Sequence, residues 1–157
     1  MRVHIATDHA GMELSTHLVK HLSAQGYEMI DHGPQEYDAL DDYPAFCLRA
    51  AEAVAQERLR GLDSLGIVLG GSGNGEQIAA NKVRGIRAAL AWNLETARLA
   101  REHNDANVVG LGGRQHSVEE AAEIVEAFLT ARWSEAERHA RRIGKIARYE
   151  ESGEIVD

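Results

Sequence analysis

Four glycines fall within six residues in Gly70-Gly71-Ser72-Gly73-Asn74-Gly75-Glu76-Gln77, between a short apolar run and a helical one. A backbone free of side chains can turn several N–H groups toward one point, which suits an anion. The segment is not a P-loop, because no Gly-Lys-Ser/Thr follows. It also fails the dinucleotide fingerprint, since Glu76 stands where the last glycine would be. A carboxylate directly after the glycines would repel a bound phosphate. Beside an oxyanion that forms only transiently it fits, with Glu76 as the base that moves the proton. The alternative is a tight strand-to-helix turn with no ligand.

Other segments offer weaker chemistry. Asp8-His9 follows the first apolar run and can be an acid–base or hydrogen-bonding pair, or simply a helix cap and a surface histidine. His103-Asn104-Asp105 closes a helical stretch, where a histidine also complements the helix C-terminus. His17 and His21 have metal-ligand spacing, but no glutamate-containing zinc motif or third ligand accompanies them, so they read as a solvated pair. Cys47, among Phe46, Ala50 and Ala51, reads as buried and inert.

Charge is unevenly placed. The chain of 157 residues has a net charge of −8, yet Ser134 to Tyr149 carries Arg138, Arg141, Arg142, Lys145 and Arg148 against Glu135 and Glu137. Arg138 and Arg142 lie one turn apart on one helical face and can grip a phosphate together, while Ala136, Ala140, Ile143 and Ala147 form an apolar stripe. A solvated basic face is the competing reading. The acidic total argues against broad nucleic-acid or anionic-membrane binding. No apolar run approaches the roughly 18 residues of a membrane span. The first residues hold too short an apolar stretch for a signal peptide. A single cysteine excludes an internal disulfide and fits a reducing cytoplasm.

These residues need elements to hold them. Arg2–Thr7, Tyr27–Asp31, Leu65–Leu69, Ile86–Ala91 and Val108–Leu111 read as strands, and helical patterns separate them. Leu14, Leu18 and Leu22 recur at helical spacing before Gly26, Pro44 suits the first turn of the next helix, and Asn93 can cap a later one. Capping boxes at Ser117–Glu120 and Ser134–Glu137 open the last two helices. Five strands alternating with helices predict an α/β fold on a parallel sheet, in one domain over residues 1–150 with a polar tail over 151–157. Ligands in such folds sit beyond the carboxyl ends of the strands, where Asp8–Gly11, the glycine loop and Gly112-Gly113-Arg114 fall.

Taken in order, Asp8-His9-Ala10-Gly11, Asp42-Tyr43-Pro44, Gly70 to Lys82, Arg84 to Ala88 and His103-Asn104-Asp105 resemble the type B ribose-5-phosphate isomerases. That family of metal-independent aldose–ketose isomerases also includes galactose-6-phosphate isomerase. The resemblance implies a three-layer, Rossmann-like sandwich with strand order 2-1-3-5-4 and a C-terminal helix packed on a partner subunit. The implied assembly is a homodimer, or a tetramer built from it, with the active site shared across the interface. It implies a sugar-phosphate substrate, no metal and no cofactor. Much of the family has a cysteine base at the end of strand three, where this chain is read as having Leu69; a second branch, typified by actinobacterial enzymes, uses a glutamate in the glycine loop. The match to that branch implies Glu76 as base, and not Cys47.

Carried over by residue, the resemblance implies that His103, with Asp8 nearby, opens the furanose ring. Glu76 would carry the proton between C2 and C1. Ser72 and the amides of Gly73, Asn74 and Gly75 would hold the enediolate, with Gly71, Asn104 and Tyr43 lining the pocket. His9, Arg114, Arg138 and Arg142 would bind the phosphate, the last two reaching across a dimer interface. An isomerase of another sugar phosphate (galactose, allose or tetrulose phosphate) fits the same residues. A non-catalytic phosphate- or nucleotide-binding module fits the glycine loop but leaves Glu76 unexplained.

Overall fold

The computed structural model describes residues 1–157. Five strands, β1 (Arg2–Ala6), β2 (Glu28–Asp31), β3 (Ser64–Gly70), β4 (Ala88–Leu90) and β5 (Val108–Gly112), form one sheet in the order β2-β1-β3-β5-β4. Every pairing is parallel, so all the carboxyl ends lie along one edge. β3 is the central strand, which is why it reads as an unbroken apolar run: all seven of its residues are buried.

Six α-helices complete the chain: α1 (Met12–Ala24), α2 (Tyr43–Leu59), α3 (Asn74–Ala80), α4 (Leu94–Asn104), α5 (Val118–Thr130) and α6 (Glu137–Ser152). Leu14, Leu18 and Leu22 of α1 join Ala97 and Ala100 of α4 and Phe128 of α5 in a core on one face of the sheet. On the other face, Cys47, Ala51 and Val54 of α2 and Ala79 and Ala80 of α3 pack on Val68, Ala88 and Val108. The result is an α/β fold on a parallel sheet, as the alternating pattern predicts, in the three layers that the resemblance implies.

Asn93 and Ser117 cap α4 and α5 in complete capping boxes. The box expected at Ser134 does not form. α6 starts at Glu137 with Ala136 as its unassisted cap, because the Ser134 hydroxyl is drawn away to Nδ1 of His139 at 3.1 Å. α6 also runs to Ser152, into the segment read as tail, and His139 is its only buried residue.

The chain turns from β1 toward β2 on one side of the sheet and toward β4 on the other, so a crevice opens between the ends of β1 and β3. The opposite edge of the sheet is built by the returning helices. α4 runs antiparallel to the strands, and the amide of Ala106 donates to the carbonyl of Ala100 as the chain enters β5. That return places the end of α4 at the amino end of β5.

Candidate active site

At the crevice, the end of β1 gives Asp8 and His9. Asp8 is buried, and its Oδ1 accepts from the Ala10 amide at 2.9 Å, so the capping reading of this residue holds. Leading from β3, Gly73 takes φ +80°, a left-handed conformation that costs glycine least, and starts α3 with no side-chain cap. The amides of Gly71, Ser72, Gly73 and Gly75 find no acceptor in the chain. The Asn74 amide and side chain both donate to Ser72 Oγ, at 3.3 and 3.2 Å. Tyr43, at the start of α2, lies against Gly75, and Arg114 from the β5 loop reaches to 3.6 Å of where a side chain on Gly71 would begin.

Glu76 is buried, and its carboxylate folds back over the end of β3. A methyl on Gly70 would collide with Oε1 and Cδ of that carboxylate. The reading of Leu69 as the strand-three position facing the site is therefore corrected. Leu69 is fully buried and belongs to the α1–α4–α5 core, and strand alternation aims the next residue, Gly70, at the site. The space a side chain at position 70 would take is held here by Glu76. Gly70→Ala is expected to displace the carboxylate and lower kcat about 100-fold or more, since misplacing a reacting group by about 1 Å can cost that much. A steady-state assay beside a thermal melt checks it; near-normal kcat would remove the carboxylate from this position.

Burial raises the Glu76 pKa, and the neighbouring negative charge of Asp8 raises it further against the opposing pull of its own backbone amide. Desolvation thus outweighs whatever the start of α3, a helix of seven residues, does for the charge. Cys47 is fully buried, and desolvation with Glu76 and Asp8 nearby pushes its thiol up to about 12. A thiol so placed stays protonated and cannot serve as the base.

His9 was reached by sequence; its partner was not. Oδ1 of Asp41 accepts from both the His9 backbone amide at 3.1 Å and the ring Nδ1 at 2.7 Å. The ring of Tyr37 meets His9 edge-on, with centroids 6.1 Å apart. Donor atoms of Asp8, His9 and Asp41 lie within 4.8 Å of one another, a loose grouping whose imidazole Nδ1 already has a partner in Asp41. A cavity of about 370 Å³ adjoins this edge, lined by Ser72, Asn74, Trp92, Gly112 and His116 among others. A larger cavity, about 610 Å³, lies instead between Arg58, Arg84 and Glu150, away from the strand ends.

The remaining expected residues form a second cluster at the opposite edge of the sheet. His103 and Asn104 end α4, and the length of β5, roughly 16 Å for five residues, separates them from the level of Gly112. The expected closeness of His103 and Asp8 does not occur within one chain. The His103 ring instead meets the buried ring of His139, centroids 4.3 Å apart. His139 Nε2 accepts from Arg138 Nε at 3.0 Å, and Arg138 and Arg142 stand exposed one turn apart on α6. Asp105, with φ +42°, holds this corner through contacts to Arg87 and Arg101, each at 2.8 Å.

Known proteins share this fold. A family model described as ribose/galactose isomerase matches residues 3–146. Ribose-5-phosphate isomerase B of Mycolicibacterium paratuberculosis is 59% identical over 150 residues, 96% of this chain and 92% of the relative. The enzyme of that name from Mycobacterium tuberculosis strain H37Rv is 57% identical over 154 residues, 98% and 93% of the two chains. Among solved structures, ribose-5-phosphate isomerase B from Mycoplasma genitalium with bound ribulose-5-phosphate superposes with a TM-score of 0.89 at 40% identity, over 96% of this chain and 97% of the other. With a match across nearly its whole length and the same sheet carrying its glycine loop, the chain belongs to the ribose/galactose isomerase family.

Proposed function

We propose that this protein interconverts ribose 5-phosphate and ribulose 5-phosphate by ring opening and proton transfer through an enediolate. The observation that carries the reading is the Glu76 carboxylate, folded over Gly70 beside a row of open amides. An α-proton next to an aldehyde is weakly acidic, so a carboxylate can remove it only where the resulting oxyanion is stabilised. One well-placed donor can be worth roughly 100–1,000-fold in rate. Glu76 removes the C2 proton and returns it to C1, while the Ser72 hydroxyl and the amides of Gly71, Gly73 and Gly75 receive the oxyanion and Asn74 holds Ser72 in place. Tyr43 walls the pocket. His9 and Arg114 hold the phosphate, which does not react and so serves to position C1 and C2.

The ring-opening group comes from a second copy. His103, Asn104, Arg138 and Arg142 lie at the wrong edge to join Glu76 of their own chain, so the site takes them from a partner related by twofold symmetry. His103 moves the proton between the anomeric hydroxyl and the ring oxygen, facing Asp8 across the interface. Support comes from α6, whose apolar side is left largely uncovered: Ile146 and Tyr149 are exposed, and only His139 is buried. A short helix in water draws most of its stability from packing of one face, which a second subunit supplies here.

An assay of the purified protein with ribose 5-phosphate, following ribulose 5-phosphate, tests the activity. Turnover is expected to be unchanged by a chelator, because the reaction moves protons only and every step has a residue assigned. A loss restored by a divalent ion would assign Asp8, His9 and Asp41 to a metal instead. Turnover of a different sugar phosphate alone would shift the substrate and leave the mechanism standing.

A further inference from the structure

Asp41 lies in the loop before α2, 32 residues from the histidine it binds. Its side chain is only 9% exposed, and Oδ2 is buried with no hydrogen-bond partner. Burying a carboxylate is costly unless it is paired. All of its pairing runs through one oxygen, Oδ1, to the backbone N–H and ring Nδ1 of His9. A carboxylate only accepts hydrogen bonds, so Nδ1 carries a proton and the rotation of the ring is fixed; an N–H at Nε2 as well belongs to the imidazolium. Nε2 has no partner, and the His9 side chain remains 24% exposed.

We propose that Asp41 is a positioning residue for the substrate phosphate, holding His9 by its backbone N–H and ring Nδ1–H so that the imidazolium turns its second N–H, at Nε2, to the anion. The inference rests on the reading of His9 as a phosphate ligand. Without Asp41 the ring is free to rotate, and nothing fixes which N–H faces the phosphate. The effect falls on binding and not on proton transfer, because Asp41 touches neither Glu76 nor the open amides.

The test compares Asp41→Ala, Asp41→Asn, His9→Ala and the His9→Ala/Asp41→Ala double variant in steady-state kinetics with ribose 5-phosphate. Asp41→Ala is expected to raise KM about tenfold, the scale of one hydrogen bond to a charged group, with kcat within about threefold of the parent. Asp41→Asn, nearly isosteric and still able to accept at Oδ1, is expected to raise KM less, and it carries the test if the alanine variant does not fold. In the double variant Asp41→Ala adds nothing to the loss caused by His9→Ala. Nitrogen NMR of His9 supplies a second readout, with the Nδ1–H signature lost in Asp41→Ala.

A normal KM in both Asp41 variants, with a raised KM in His9→Ala, would overturn the role of Asp41 and leave His9 in place. A normal KM in His9→Ala would overturn the phosphate reading beneath it. Additive losses in the double variant, or a fall in kcat at unchanged KM, would equally overturn the proposal, since Asp41 would then act by another route.

Discussion

Glu76→Gln is expected to lose most turnover yet yield a protein that melts at a higher temperature at neutral pH. A general base contributes on the order of 100–10,000-fold, and an amide cannot take a proton from carbon, so kcat should fall within that range. Phosphate contacts are untouched, and KM should stay near the parent value. The stability gain follows from the pKa direction. Burial and Asp8 raise the Glu76 pKa above its ordinary value, so the folded state disfavours the ionised form. For such a group the protonated carboxyl favours folding, and that contribution is lost as pH rises through the folded-state pKa. At neutral pH the parent carries the cost of a buried charge, which the neutral amide removes, while its oxygen still accepts from the residue-76 backbone amide.

The same direction fixes the pH profile. Turnover of the parent needs ionised Glu76, so its acid limb should lie above the usual carboxylate range. Calorimetry across pH, beside kinetics, checks both halves of the expectation. Near-normal turnover would take Glu76 out of the base role, and a lower melting temperature in Glu76→Gln would contradict the origin of the shift. The combination of lost activity and gained stability is what distinguishes a base held in a costly place from a residue that merely supports the loop.

Sequence periodicity was enough for the sheet, because β3 and β5 are buried on both faces and read as plain apolar runs. It was also enough for the glycine loop, where local spacing and local geometry are the same thing. It failed wherever a contact joins distant segments. The Asp41–His9 pair spans 32 residues, and nothing in the loop from Pro34 to Asp42 distinguishes Asp41 from Asp38 or Asp42 beside it. The facing of Gly70 against Leu69 turned on one residue of register, which in a strand buried on both sides leaves no polar alternation to read. Ser134 carries a sound capping signature, overridden by a histidine five residues on. His103 and Asp8 were each identified, but their separation depends on the direction in which α4 returns along the sheet.

That separation leads to the last expectation. Neither Glu76→Gln nor His103→Asn should support turnover alone, but the two variants co-expressed should regain about a quarter of parental activity if assembly is random, because half of the dimers are mixed and each mixed dimer has one intact site. The arithmetic depends on the sites being built across the interface. In a mixed dimer one site receives both defects, and the other receives Glu76 from the His103→Asn chain and His103 from the Glu76→Gln chain, both unaltered. Were each site contained in a single chain, every site would carry one defect and mixing would restore nothing. A single-chain site would require His103 to cross the length of β5 to reach Glu76, roughly 16 Å against a strand buried at every residue. Tagging the two variants differently and isolating the mixed species sharpens the measurement, since that species alone should then show about half of parental activity. Absence of recovery in an isolated mixed dimer would overturn the shared site, and recovery would also explain why a basic helix with one buried residue ends this chain.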